Sequence, residues 1–237
     1  YSPLNSASAR SNKVIARPDQ YVGVTTWIGN GTSQKIRGYN FKPDFVWCKA
    51  RTFTADHELY DSVRGTMKRL FNNNSSRYVG WCWKAGGNKN TFNVDNVGYS
   101  TYTDAPGLTA GTIKINAASV GTKQGFSIIN YYGTDNTSDT FSHGLSQKPD
   151  LAFFKNMSQD GDDWIVYSST IGATKRVKLN GDDGADAQTS QFNDTEPTSS
   201  VFTIGTYDNI NKLNNNYICY LWHSVPGLQK FGGYVGN

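Results

Sequence analysis

The chain has 237 residues, of which 37% are hydrophobic, 14% aromatic and 18% charged, with 24 glycines and a formal net charge of +4. That length suits one large β domain or two small ones, and the charge is too low for a disordered chain. No apolar run approaches the ~18 residues of a membrane helix; helical periodicity is scarce, so many short strands joined by turns are expected.

The first twenty residues, YSPLNSASARSNKVIARPDQ, are polar, Ser-rich and basic, and they begin at Tyr1, as a processed product or a fragment would. They predict an N-terminal extended arm over 1–20, either a linker or a segment laid as a strand on a neighbouring subunit. Its one strand-like piece is KVIAR. VGVTTWIG (22–29) predicts the first strand, ending in a polar turn. KPDFVWCK (42–49) follows. Pro43 cannot donate a ladder hydrogen bond and belongs at a strand entrance, and Asp44 suits the turn into it. FVWCK is the nearly continuous apolar run of a strand buried on both faces, with Lys49 ending it in solvent. DHELYDSVRGTMKRL (56–70) predicts a return strand that completes a hairpin-like pair, and YVGWCWK (78–84) a further aromatic strand. Between 88 and 125, GYSTYT and GTIKIN read as strands separated by Gly, Pro and Asn turns.

From residue 126 the chain repeats itself. FSIINYYG (126–133) echoes VGVTTWIG, and KPDLAFFK (148–155) echoes KPDFVWCK, with Lys155 in the place of Lys49. DDWIVYSSTIGATKRV (162–177) echoes 56–70 through Tyr60/Tyr167, Gly65/Gly172 and the basic pairs Lys68-Arg69 and Lys175-Arg176. YICYLWH (217–223) echoes YVGWCWK, placing Cys82 opposite Leu221. An internal repeat is therefore the dominant signal, with copies at about 21–124 and 125–237. The second copy carries an additional turn and strand in NDTEPTSSVFTIGT. FGGYVGN (231–237) resembles the opening of another copy and predicts a last strand that closes a sheet or pairs with a neighbour. The expected fold class is all-β, a β-sandwich of lectin-like jelly-roll type built from two internal repeats; two separate small sandwiches are the alternative.

Chemistry is sparse in the sequence. Cys48, Cys82 and Cys219 sit among aromatic and β-branched residues without metal-like spacing, and read as small core hydrophobes. His57, His143 and His223 are isolated from one another. His57 and Glu58 point to opposite faces of a strand, while His143 reads as a turn residue and His223 as a polar strand end. No nucleophile elbow, phosphate loop or dinucleotide fingerprint is present, so no catalytic residue, cofactor or enzymatic activity is expected. QDGDDW (159–164) and NGDDGADA (180–187) offer Asp160, Asp162, Asp163, Asp182, Asp183 and Asp186 as oxygen ligands for calcium, although neither matches an EF-hand loop. Asp and Gly at that density also serve ordinary surface turns.

Charge is uneven along the chain. Residues 1–90 hold 14 Lys and Arg against 5 Asp and Glu, a balance of +9; residues 91–237 hold 9 against 14, a balance of −5. Head-to-tail assembly of basic on acidic faces is one reading, and ordinary surface variation another. The basic residues form no cluster of the nucleic-acid-binding kind, and neither nucleic acid nor membrane is expected as a partner.

GFSIINYYGT, FSHGLSQKPDLAFFKN, DWIVYSS, PTSSVFTIGT and YICYLWHSVPGLQKFGGYVGN, in that order, resemble the repeated β modules of large virion proteins of tailed bacteriophages, especially marine and cyanobacterial ones. The resemblance is full over 125–237 and partial over 21–84, where Gly38-Tyr39-Asn40 stands in place of the His-Gly-Leu turn; it does not cover 1–20. It implies a virion or extracellular location and a tail-fibre, appendage or decoration role, with other virion proteins as partners and no catalytic residues. From both lines the expected function is a structural subunit that self-associates, as a homo-oligomer or filament, through sheet edges and surface charge. A carbohydrate-binding module for host-surface glycans is the alternative, with Trp27, Tyr131, Tyr132 and Trp164 as stacking residues. A subunit of a non-viral filament or surface layer is a third reading.

Overall fold

The computed structural model describes residues 15–65 and 76–234. The protein is all-β, 38% strand and 5% helix, with its sheets packed as sandwich layers. Strands β1 (Val22–Ile28), β2 (Phe45–Ala50), β3 (Glu58–Asp61) and β4 (Arg77–Trp83) form an antiparallel sheet in the order β1-β4-β2-β3. Eleven strands follow: β5 (Phe92–Val94), β6 (Val97–Tyr99), β7 (Ile115–Gly121), β8 (Phe126–Tyr132), β9 (Asp139–Ser142), β10 (Leu151–Asn156), β11 (Ile165–Ser168), β12 (Lys175–Lys178), β13 (Asp186–Ala187), β14 (Val201–Ile204) and β15 (Asn216–Trp222). Nine of them make one sheet in the order β13-β12-β11-β10-β15-β8-β7-β5-β6, and β14 pairs with β9. Two single-turn helices, α1 (Thr189–Phe192) and α2 (Asp208–Asn211), flank β14.

The repeat survives to the level of register. The order β1-β4-β2-β3 reappears inside the larger sheet as β8-β15-β10-β11. Val22 faces Trp83 as Phe126 faces Trp222. Phe45 faces Trp83 as Leu151 faces Trp222, and Cys48 faces Glu58 as Phe154 faces Ile165. Each copy is thus the same four-stranded antiparallel unit. What differs is its surroundings: β7 continues the sheet beyond β8, and β12 continues it beyond β11.

Strict alternation along the central strands builds two cores. On β15, Tyr217, Cys219 and Leu221 enter one core, and Ile218, Tyr220 and Trp222 the other. The second of these lies between the two copies, where Phe45, Trp47 and Trp83 of the four-stranded sheet meet Phe126, Phe153 and Trp222 of the larger one. Phe45 is fully buried and touches four rings, the closest being Tyr220 at 4.6 Å between centroids. Both copies therefore share a core, in one sandwich. The first core fills the opposite face of the larger sheet and is roofed by Phe141 of β9, Phe202 and Ile204 of β14, Phe192 of α1 and Ile210 of α2.

Several local expectations need correction. Phe231–Tyr234 carry no strand, because the chain after β15 turns back, with Val225 bridging Gln229; the rest of that segment lies outside the described residues. Within the N-terminal arm, Pro18–Gln20 form a 3-10 turn rather than an extended segment, and residues 1–14 lie outside the described residues, as do Lys68 and Arg69. GYSTYT contributes strand only at its start, in β6, before passing into turns. GTIKIN contributes only its last two residues, the start of β7.

Candidate functional site

The repeated KPD phrase has a structural explanation. Asp44, 3% exposed, accepts backbone N–H groups of Ala85 (2.8 Å) and Gly87 (3.1 Å) on its Oδ2. Asp150 Oδ2 accepts the N–H of Ser224 (2.6 Å), and its Oδ1 accepts the Ser169 hydroxyl. Ala85 and Ser224 each stand two residues beyond the tryptophan that ends the aromatic strand, Trp83 and Trp222. Each Asp thus ties the entrance of its own strand to the exit of that neighbour, replacing water for amides that would otherwise be orphaned. Burial pushes the Asp44 carboxyl up, against the pull of those N–H donors. The lysines closing the phrase do not run into solvent: both are half-buried. The Lys49 ammonium donates to the Ala55 carbonyl and the Lys155 ammonium to that of Asp162, bracing the loop between the paired strands.

The titratable groups of interest are similarly occupied. Cys48, Cys82 and Cys219 are free and buried. Burial pushes the Cys48 thiol up to about 12 and that of Cys82 up to about 11, so both are protonated at neutral pH. His143 is fully buried rather than a surface turn residue. Its Nδ1 accepts the Leu145 N–H and its Nε2 faces the Thr198 carbonyl at 3.2 Å. His57 accepts the Trp47 indole N–H at 2.7 Å, and His223 Nδ1 lies 2.9 Å from the Ser224 carbonyl.

The calcium candidates do not converge. Asp163 pairs with Lys178 (3.1 Å) and with the Asn180 amide. Asp183 also faces Lys178, and Asp186 pairs with Arg176 at 3.0 Å. Asp162 accepts from Asn156, while Asp160 and Asp182 are exposed. Among the described residues no three of His, Cys, Asp and Glu gather around one point. The carbohydrate candidates are dispersed as well. Tyr131 is fully buried and donates to the Ile210 carbonyl, which removes it as a stacking platform. Trp164 is half-buried and stacked on Tyr220. Tyr132 is 51% exposed on the opposite face of β8 from Tyr131.

Of that set, Trp27 borders a pocket. On the outer face of the four-stranded sheet, a pocket of about 230 Å³ is lined by Trp27, Tyr78, Phe53 and Tyr60, with Cys48 and Ala50 at its floor and Glu58, Asp56 and Lys49 around it. Trp27 stacks on Tyr78 at 5.5 Å and 15°, as Tyr131 stacks on Tyr217 at 5.4 Å and 19° in the other copy. In that copy the same face is the roofed core. Position for position, Phe154 is replaced by Cys48, Cys219 by Gly80 and Leu221 by Cys82, while Ile165 becomes Glu58. The first copy is therefore hollowed where the second is filled, and it carries a carboxylate where the second carries a sec-butyl group.

One family model matches the chain over residues 17–76 and again over 66–237. The chain belongs to that family, a domain of unknown function (DUF7483). No curated protein and no solved structure matches it. The family match spans both copies of the repeat, and so covers the pocket as well as the shared core. Phe53, Tyr60, Tyr78 and Glu58 escaped the sequence reading as site residues. The signal was nevertheless available, since the Tyr60/Tyr167 echo already sets Glu58 against Ile165, a charge against a core aliphatic.

Proposed function

We propose that this protein is a non-enzymatic structural subunit that joins copies of itself by extending the four-stranded sheet across the edge strand β1. The observation that carries the reading is the state of that edge. The N–H of Gly29 and the C=O of Tyr21 bond towards β4. By alternation, Val22, Val24, Thr26 and Ile28 turn their backbone groups to the other side, where the Ile28 carbonyl accepts the Gln34 side-chain amide at 3.1 Å and the edge before it is open among the described residues. Their counterparts Phe126, Ile128 and Asn130 face β7, which pairs along β8. No strand occupies the equivalent place beside β1 among the described residues. β1 also lacks the usual protections of an edge: VGVTTWI has no charge and no proline, and Val24 and Ile28 are 60% and 59% exposed.

The occupant is a second β1. A two-fold axis at Thr25 places Val22 against Ile28 and Val24 against Thr26 of the partner copy, which are favourable β-branched cross-strand pairs. The resemblance of residues 125–237 to virion β modules supports a virion setting, where subunits of this kind meet one another and other virion proteins. Light scattering on wild type, Val24→Lys and Thr26→Pro tests it. The wild type is expected at twice the 26.2 kDa chain mass. Lys at position 24 places charge in the joint, and Pro at 26 removes an N–H that points away from β4, so both variants stay folded and become monomers. A wild-type monomer at high concentration refutes the reading, as do variants that remain dimeric.

A further inference from the structure

We propose that the pocket on the outer face of the four-stranded sheet is a binding site for a small organic cation, a methylated or quaternary ammonium headgroup. The site is independent of association through β1. Its geometry is inherited: the Trp27–Tyr78 stack repeats the Tyr131–Tyr217 stack, so the aromatic wall stands on a framework rigid enough to serve as core in the other copy. Its space comes from the exchange of Phe154 for Cys48, while the Trp27 ring lies over Gly80, where the other copy has Cys219. Phe53, 37% exposed, closes one side edge-on to Tyr78 at 6.1 Å and 86°.

The ligand class follows from charge and size. Glu58 and Asp56 border the pocket, and neither forms an ion pair among the described residues. The Tyr60 hydroxyl lies 3.3 Å from Glu58 Oε2, holding that carboxylate on the pocket side of β3. The one cation present, Lys49, is tied to the Ala55 carbonyl. Two carboxylates against one ammonium, among aromatic faces, attract a positive charge with an apolar coat; ring quadrupoles and carboxylates act in the same direction. At about 230 Å³ the pocket falls below the roughly 300–1,000 Å³ of ordinary ligand sites. That size selects a single headgroup over an oligosaccharide.

Titration calorimetry and saturation-transfer NMR on the full chain, with choline chloride, its uncharged isostere 3,3-dimethyl-1-butanol and glucose, test the site. Saturable choline binding is expected, with the isostere weaker by about tenfold or more and glucose not binding. Glu58→Gln keeps the shape and is expected to weaken choline by about tenfold, and Cys48→Phe, which restores the other copy's side chain, abolishes it. Near-ultraviolet circular dichroism confirms that each variant is folded; if Cys48→Phe is not, Glu58→Gln decides. Equal binding of choline and its isostere, tighter binding of glucose, no saturable choline signal, or an unchanged affinity in Glu58→Gln each overturns the proposal. The same titration on Val24→Lys separates this site from the association reading, because choline affinity there is expected to be unchanged.

Discussion

The apolar core shared by the four-stranded and the larger sheet contains a polar contact between them that is sharply testable. Tyr220 of β15 is fully buried in the shared core, and its hydroxyl donates to Asp61 Oδ2 of β3 at 2.6 Å. Asp61, 4% exposed, also takes the N–H groups of Val63 (3.0 Å) and Arg64 (2.8 Å) and pairs with the Arg64 guanidinium, which in turn donates to the Leu59 carbonyl. Tyr220→Phe removes one hydrogen bond to a charged acceptor and leaves Asp61 with its other donors, so no charge is orphaned; the cost is about 1.5–3 kcal/mol. Asp61→Asn discharges the carboxylate beside a largely buried Arg64, whose side chain is 17% exposed, and costs about 3–5 kcal/mol. Because both changes break the same contact, the double variant should fall short of the sum by about 1 kcal/mol or more. Urea unfolding followed by circular dichroism measures all three, together with the slope m as a check that the transition stays two-state. Additivity to within about 0.5 kcal/mol would mean that the hydroxyl and carboxylate are not coupled, and that this contact adds nothing to the apolar packing around it.

Three further outcomes are expected. At Gly86 a Cβ would lie 2.4 Å from the Asn93 carbonyl oxygen and 2.5 Å from the Val120 backbone nitrogen. Gly86→Ala must therefore separate β5 from β7 and lower stability by about 3 kcal/mol or more, whereas Gly184→Ala, with open space around it, should stay within ~0.5 kcal/mol; thermal unfolding of the pair reads this directly. Burial pushes His143 down to about 4, so between pH 6.5 and 5 the unfolded chain binds a proton that the folded one refuses. Stability is then full above pH 6.5 and falls by about 2 kcal/mol by pH 5. His143→Gln should flatten that slope in urea midpoints, and an equal slope in the variant would rule the histidine out as its source. Asp150→Asn keeps the side-chain shape but weakens the acceptor for Ser224 N–H at 2.6 Å; a loss of about 1–2 kcal/mol is expected, visible as faster amide exchange at Ser224.

Most of the architecture was readable because it was written twice. The four strands common to both copies carry long aromatic and β-branched runs, and their echo fixed both identity and pairing. β5 was not readable: Phe92–Val94 spans three residues, too few for alternation to register. Its parallel pairing with β7 depends on contacts across about 26 residues. The role of Asp44 was hidden for the same reason, since its partners Ala85 and Gly87 arrive from 41 and 43 residues away. For the acidic loops, sequence could not show opposition across strands: Arg176 and Lys178 on β12 meet carboxylates that sequence alone leaves unpaired. For Tyr131 the missing step was elementary, because consecutive aromatics on a strand point to opposite faces and one of Tyr131 and Tyr132 had to be inside.

The differences between the copies follow how each is covered. A strand unit that is apolar on both faces needs two covers. The second copy has them: the first copy on one side, and β9, β14 and the two helices on the other. The first copy has the shared core on one side and, on the other, among the described residues, little beyond the segment carrying Tyr39 and Phe41. Large core residues there would stand in water, at about 25 cal/mol per Å² of apolar surface. The face has instead been reduced to Gly23, Gly80, Cys48, Ala50 and Cys82, with aromatic rings folded down over the glycines. A Cβ at Gly23 would lie 2.6 Å from Tyr39 Cδ1, and one at Gly80 would lie 3.1 Å from Trp27 Cζ3. The rings can lie that close only because those positions have no side chain. The outer edge of β1 is likewise unpaired, since the strand that flanks β8 has no counterpart there among the described residues. Among the described residues, an open edge and a hollow aromatic face thus stand together on the copy with less cover, and both candidate functions belong to that copy.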